Sequence, residues 1–302
     1  MGTTASKQSA TYPCGDVMAF GETNGGARYD PSALDAIEAR FWREIWESVP
    51  EPVADEHGIE VRDFGPVQAS VVTDLGQVGM LNLLLGATEP GAVGGGHLAE
   101  AAKWARRLAA WPYVPVTPGL PETAAAERWL QENGFTPAYG WMKFVRDAHP
   151  PRFKPPADVE VVELAGDSGE PFGTVAADGF GMPAWAATFF ARLPGREGWR
   201  CYGAYLDGEI AACGTMLIDG GLAEFGIGAT LESARRRGCQ LALLHRRIVD
   251  AAEAGCETLF VETGERAEDR PAGSYRNVLR AGFEEAYLCP NWKPSQGSGD
   301  AG

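Results

Sequence analysis

The residues best suited to chemistry fall between Ala223 and Leu241. In Arg235-Arg236-Arg237-Gly238-Cys239-Gln240, three guanidiniums precede a glycine where a helical apolar pattern begins. Backbone N–H groups at a helix N-terminus bind anions, glycine lets the backbone approach one closely, and arginine suits a pyrophosphate. Just upstream, Glu224 is the one charged residue of Ala223-Glu224-Phe225-Gly226-Ile227-Gly228, and strand alternation puts it on one face with Gly226 and Gly228. A carboxylate so placed is suited to general acid–base work. Glu262, before Thr263-Gly264, is the second choice for that role. His245 reads as a surface or partly packed histidine. No Ser/His/Asp constellation or metal-ligand spacing is visible.

These residues need a scaffold, and its pattern can be read. In the second half, Val159 to Leu164 alternates as a strand and Pro183 to Leu193 reads as a helix. Strands Cys201 to Leu206 and Ile210 to Ile218 flank Asp207-Gly208, a hairpin dipeptide, and a third strand runs from Ala223 to Thr230. The basic loop then opens a helix from Gln240 to Ala254, with Leu241, Leu244, Ile248 and Ala251 on one face. Strand Thr258 to Thr263, helix Ser274 to Ala281 and a strand around Ala286 to Cys289 complete the order. The first half opens with a helix whose apolar face holds Leu34, Ile37, Phe41 and Ile45, broadened by Trp42 and Trp46, which we read as interdomain packing. Strands Ile59 to Phe64, Val67 to Thr73 and Gln77 to Leu85 follow. After them come helix Leu98 to Leu108, strand Tyr113 to Thr117 and helix Glu122 to Asn133.

The two halves repeat one another. Leu85-Gly86-Ala87-Thr88 answers Ile227-Gly228-Ala229-Thr230 at an offset of 142, and His97-Leu98-Ala99 answers Gln240-Leu241-Ala242 at 143. Gly134-Phe135 answers Gly282-Phe283 at 148, so the matches are collinear and the offsets only grow. A repeat of domain length implies duplication. The proline-rich seam divides the chain into an arm (1–30, expected to be partly disordered), a first domain (31–147), a linker (148–156), a second domain (157–293) and a tail (294–302, expected to be disordered). The first copy replaces the basic loop by Glu89-Pro90-Gly91-Ala92-Val93-Gly94-Gly95-Gly96-His97, and Glu224 by Asn82. The duplication is therefore asymmetric.

With Arg235, Gly238 and Gln240 at the three defined positions of a coenzyme A loop after a fourth strand, and Gly282-Phe283 as the closing turn, the second half resembles the GNAT N-acetyltransferase superfamily. The first half resembles a degenerate copy. The resemblance implies a mixed α/β (α+β) architecture of two tandem GNAT-like domains, with acetyl-CoA as acyl donor. It implies donor contacts from Ala229, Thr230, Arg235, Arg236, Arg237, Gly238, Cys239, Gln240 and Leu241. It also implies an oxyanion donor on the backbone between Phe225 and Ala229, and Glu224 as catalytic base. Gln240 departs from the small residue usual at the third loop position. Val278 stands where a tyrosine often protonates the departing thiolate, and Tyr275, one turn earlier, reads as packing.

The bulk numbers bound the rest. The chain has 302 residues, long enough for two domains, and a formal charge of −15, which disfavours a nucleic-acid partner. Six cysteines without CxxC spacing suggest neither zinc nor a disulfide framework. No apolar run of membrane-spanning length and no secretory signal is seen, so a cytoplasmic location is expected. The expected function is acetyl transfer from acetyl-CoA to a small-molecule primary amine. The alternatives are a non-catalytic acyl-CoA binding or sensing module and an aminoacyl-tRNA-dependent acyltransferase.

Overall fold

Helix α1 (Pro31–Glu47) starts at Asp30, whose carboxylate accepts the Ser32 N–H at 2.9 Å, a side-chain cap of the usual kind. In this computed structural model, which describes residues 22–23, 28–108, 110–266 and 273–295, α1 lies between the halves. Its Trp46 ring meets Phe189 at 5.0 Å and its Phe41 ring meets Trp199 at 4.8 Å, so the aromatic face reaches second-half residues. The expected arm and tail fall almost entirely outside the described residues.

The first half continues with α2 (Glu51–His57), β1 (Ile59–Phe64), β2 (Val67–Val72), β3 (Leu83–Leu85), α3 (His97–Arg107), β4 (Val114–Pro115), α4 (Thr123–Glu132), β5 (Phe135–Pro137) and β6 (Trp141–Asp147). The second half holds β7 (Glu160–Leu164), α5 (Gly169–Phe180), β8 (Trp199–Leu206), β9 (Glu209–Asp219), β10 (Leu222–Thr230), α6 (Cys239–Glu253), β11 (Thr258–Gly264), α7 (Gly273–Arg280), β12 (Glu284–Cys289) and β13 (Asn291–Pro294). The architecture is the mixed α/β arrangement expected, and from β1 and from β8 onward the two halves share one order of elements: three strands, helix, strand, helix and two strands.

Each half lends its last strand to the other. The order β12-β6-β11-β10-β9-β8-β7 places β6, from the first half, between two strands of the second. Reciprocally, β13 lies between β4 and β5 of the first half in the order β4-β13-β5. Hydrogen bonds from Leu84 N–H to Tyr113 O (2.9 Å) and from Tyr113 N–H to Asn82 O (2.8 Å) join β3 to that group. The boundary at 148–156 therefore separates the chain in sequence, while the sheets interlock across it.

Three expectations need correction. The helix expected over 183–193 is a short 3-10 segment, Ala184–Phe189, and the true opening helix is α5. Glycines 169, 173 and 179 and Pro171 weaken the helical pattern of α5. All three glycines have a packing reason, since a Cβ at Gly169 or Gly173 would run into the carbonyls of Ala191 or Ala187, and one at Gly179 into Ala229. The strand expected over 77–85 shrinks to β3, because Asn82 turns its side chain onto Val72 N–H, Leu75 O and Val78 O and holds 73–81 as turns. The strand expected over 113–117 shrinks to the two residues of β4. The hairpin is as expected, with Asp207 and Gly208 at φ 52° and 84°.

The exchange makes the two sheets one cooperative unit. Trp292 of β13 is buried (9% exposed) among first-half residues. Trp292→Ala should cost about 3 kcal/mol and shift a single unfolding transition reported alike by probes in both halves. Two separated transitions, with the second-half probe unmoved, would contradict the interlock.

Candidate active site

The geometry of the site follows from β10 parting from its neighbour. Parallel pairing with β11 runs from Leu222↔Thr258 to Phe225↔Val261 and then stops, although β10 continues to Thr230 and β11 to Gly264. Against β9 the register of β10 slips between Gly226 and Ala229, and Ile227 adopts φ 44°, a costly value for a β-branched residue. The result is a bulge followed by an open wedge between the strands. Gly226 makes room for α1, since a Cβ there would run into the Phe41 ring. Gly228 is exposed, with open space where a side chain would be.

Arg247 of α6 holds the bulge from the other face. Its NH1 donates to Thr215 O (2.9 Å) and Gly226 O (3.4 Å), and its Nε to Leu243 O (3.2 Å). The guanidinium lies 4.9 Å from the Phe225 ring centroid and is buried, which lowers its pKa to about 10 and leaves it charged at neutral pH. A trans peptide directs its C=O and N–H oppositely, so drawing the Gly226 carbonyl toward α6 turns the Ile227 N–H toward the α1 face.

At the end of β10, Ala229 and Thr230 lead into the loop Arg235–Gln240. Arg235, Arg236 and Arg237 are exposed, and Arg237 pairs with Asp158 at 3.4 Å. Gly238 is the N-cap of α6 at φ 86° with no side chain capping the helix, and Cys239 is buried behind it. Pro156 of the linker packs where a Gly238 side chain would stand. The Gln240 side chain spans to α7, donating to Ser274 Oγ at 2.6 Å and accepting from Asn277 Nδ2 at 2.8 Å. Leu241 is half-buried in the first turn. The loop residues expected to hold the donor thus stand together, with Glu224 farther back along the same strand.

Glu224 lies on the α1 face, 3% exposed, and its Oε2 is buried without a partner among the described residues. Around it is a polar group that sequence reading missed. Lys143, from the exchanged strand β6, is fully buried; its Nζ donates to Glu38 of α1 at 2.7 Å and also to Glu262 of β11. Glu38 Oε1 and the Tyr287 hydroxyl are buried without partners, and Asp35 accepts from Thr117 Oγ1 at 2.8 Å. Burial, then Glu38 and Glu262, push Glu224 well above the ordinary carboxylate range, against the pull of Lys143. Burial outweighs Lys143 at Glu38 too, which rises to about 8, and burial lifts Asp35 to about 6. For Lys143 the two carboxylates overcome burial and hold it charged. The missed residues had one signal: a charge inside an apolar run, Glu38 in the face of α1 and Lys143 in Trp141-Met142-Lys143-Phe144-Val145.

Other expectations are resolved simply. Val278 is buried in the core, and Tyr275 packs on Phe144 at 4.8 Å and donates its hydroxyl to Glu285. His245 packs its ring on Phe153 at 5.4 Å. Among the described residues no group of His, Cys, Asp and Glu is set to hold a metal, and no helix is long and apolar enough to cross a membrane. Two open clefts, of about 720 and 390 Å³, lie around Arg40–Arg196–Arg200 and around Tyr29–Leu222–Glu257; neither is lined by the loop or by Glu224, and the second reaches Leu222, two residues before Glu224.

The fold has counterparts among known proteins. A family model described as an acetyltransferase (GNAT) domain matches residues 173–266, spanning α5 to the end of β11. The fold is similar to a GCN5-related N-acetyltransferase from Kribbella flavida (TM-score 0.54, 18% identity, 86% of this chain and 96% of that one). It is also similar to one from Sphaerobacter thermophilus (0.56, 14% identity, 76% of each chain). A tandem GNAT protein from the clavulanic acid biosynthesis pathway aligns at 0.50, with 19% identity over 80% of this chain and 79% of that one. No curated protein sequence matches the chain.

The buried carboxyls give the site a pH signature. Unfolded carboxyls titrate near pH 4, whereas Asp35, Glu38 and Glu224 hold their protons to higher pH when folded. Their contribution is fully present below the unfolded value and is lost as pH rises through the folded ones. The melting temperature should therefore fall between pH 5 and pH 8, and fall less steeply in Glu224→Gln. A flat or rising profile in the wild type would count against the assignment.

Proposed function

We propose that this chain, a tandem GNAT fold whose second half carries a GNAT acetyltransferase domain, transfers an acetyl group from acetyl-CoA to the primary amine of a small molecule. One observation carries the reading: the wedge between β10 and β11 opens at a bulge, with the basic Arg235–Gln240 loop at one end and a buried carboxyl, Glu224, on the acceptor face. Arg235, Arg236 and Arg237 with the N-terminus of α6 receive the pyrophosphate. Gln240 leaves its backbone N–H to that task while its side chain braces α7. The wedge takes the pantetheine arm, which brings the thioester beside residues 226–229.

Catalysis then rests on proximity, a fixed donor and a base. The acceptor ammonium passes one proton to the ionised Glu224 carboxylate. Its nitrogen lone pair forms the C–N bond, the C–S bond breaks with its pair left on sulfur, and the second proton goes to the thiolate. The Ile227 N–H, aimed by the Arg247 grip on Gly226, stabilises the negative oxygen in between. Burial raises the pKa of Glu224, which makes the carboxylate a stronger proton acceptor once the cationic acceptor has favoured its ionised form. Val278 and Tyr275 are occupied in packing, so the general acid is assigned to neither.

A second reading, a non-catalytic acyl-CoA binding module, is favoured by the Gln240 bridge from α6 to α7 and by Pro156 against Gly238, which both narrow the surroundings of the loop. Calorimetric titration of acetyl-CoA should show one site per chain, weakened at least about tenfold in Arg236→Ala/Arg237→Ala. Thioester consumption should appear with some amine of a panel and slow about 100-fold in Glu224→Gln. Binding without turnover across the panel would select the second reading, and retardation of charged tRNA at low salt would reopen an aminoacyl donor. Arg247→Met should lower kcat about 100-fold with acetyl-CoA affinity intact; an unchanged kcat would remove the Ile227 N–H from the mechanism.

A further inference from the structure

The polar group beneath α1 is built from both halves, and its bonding is incomplete. Lys143 takes one oxygen from Glu38 and one from Glu262. Glu38 Oε1 and Glu224 Oε2 remain, each on a residue only 3% exposed, with no partner among the described residues. The Tyr287 hydroxyl, on the strand next to Lys143, is also unpartnered. Buried carboxyl oxygens without donors are costly to leave so, and a site that leaves two of them open is complementary to a ligand rich in N–H donors. An ammonium has three such donors, no acceptor and a positive charge.

We propose that Glu38 of the first half and Glu224 of the second together receive the acceptor's ammonium, and that the acceptor is a primary amine with no carboxylate beside that amine. The proposal rests on the acyltransferase reading of the same site and names its substrate class. The groups facing the ammonium are Asp35 and Glu38 from α1, Glu224 from β10, Glu262 from β11, Lys143 from β6, and Tyr287 and Cys289 from β12. Four of them are carboxyls, and the single cation is already shared between two. A carboxylate on the ligand would meet four carboxyls and a cation already shared between two of them, a net repulsion that disfavours an α-amino acid. We place the entry at Glu262, whose side chain is 21% exposed while those of Glu38 and Lys143 are almost fully buried. An amine entering there passes from Glu262 inward to Glu224, three residues from the Ile227 N–H. The first half, which lacks the basic loop, thus supplies the recognition carboxyl.

Arrival of a cation favours ionised carboxyls, so protons should leave the protein as the amine binds. The test is calorimetric titration of the full chain with n-butylamine, 1,4-diaminobutane and 2-aminohexanoate, in two buffers of different ionisation enthalpy. The two amines should bind with proton release, and 2-aminohexanoate at least about tenfold more weakly. Glu38→Gln should weaken the amines about tenfold and diminish the proton release, with acetyl-CoA affinity unchanged. Should Glu38→Gln fail to fold, Glu224→Gln, at a side chain whose open oxygen holds no partner, is expected to act in the same way. Equal amine affinity in wild type and variants, or 2-aminohexanoate binding as tightly as n-butylamine, would overturn the proposal. Amine binding of this kind in a chain that does not bind acetyl-CoA would leave the ammonium site standing and remove the acyltransferase reading; the converse result would do the opposite.

Discussion

Lys143 is the ammonium on which the assembly turns. It sits on the strand that the first half inserts into the second sheet, so its position is fixed by pairing with Glu262 on one side and Tyr287 on the other. A buried ammonium is costly unless paired. Here it is paired twice, with a carboxylate from α1 and one from β11, and its charge lies 5.5 and 5.4 Å from the Trp141 and Phe260 ring centroids. A one-residue slip of β6 would turn that charge to the opposite face, against Phe144's neighbours in the α6 core. The same pair anchors α1 over the sheet. Strand exchange, helix placement and the polar floor of the site are consequences of one side chain's need for partners. A methionine at 143 would pack well among the aromatic rings, yet it would strand Glu38 and Glu262.

The second constraint is that β10 must leave β11 without unravelling from β9. The bulge at 226–229 performs the turn, and Ile227 carries the strain, of the order of 1–3 kcal/mol for such a conformation. Arg247 and Phe41 hold the bent segment from opposite faces: the guanidinium bonds the carbonyls of the paired residues Thr215 and Gly226, while the ring fills the space above Gly226. Each contact demands a residue with no side chain nearby, since a Cβ at Gly214 would lie 3.1 Å from the guanidinium carbon. Glycine at 214 and 226 therefore has packing reasons on two different faces of the sheet.

Legibility in the sequence followed the range of the interactions. Local pattern gave β7 to β11, the Asp207-Gly208 hairpin, α3, α4 and α6 within a residue or two, and the apolar face of α1, because alternation, turn dipeptides and apolar stripes are properties of short segments. The Arg235–Gln240 loop was legible for the same reason. The exchange of β6 and β13 was not, since a strand has the same alternation whichever sheet receives it. The site suffered accordingly: Glu224 could be singled out within its strand, but Glu38 and Lys143 lie far from it in sequence and meet it only through the exchange. Gly169, Gly173 and Pro171 concealed α5, whose glycines serve contacts with carbonyls that no local pattern announces.

The duplication itself shows how one position can serve structure in one copy and remain open in the other. Asn82 and Glu224 are equivalent by the repeat and both are buried, Glu224 within β10 and Asn82 immediately before β3. Asn82 accepts from Val72 N–H and donates to two carbonyls, so its amide is fully spent in shaping the turns before β3. Glutamate could accept one of those bonds but could not, as a carboxylate, donate the other two. Both loops keep an N-cap glycine in the left-handed region, Gly96 at φ 76° and Gly238 at φ 86°, yet only the second has arginines before it. The backbone device survived in both copies, while the side chains diverged: the first copy converted its strand residue into a brace and lent Glu38 and Lys143 to the other. An oxygen left without a partner at Glu224, beside a helix contributed by its sister domain, is the point where that division of labour becomes chemistry.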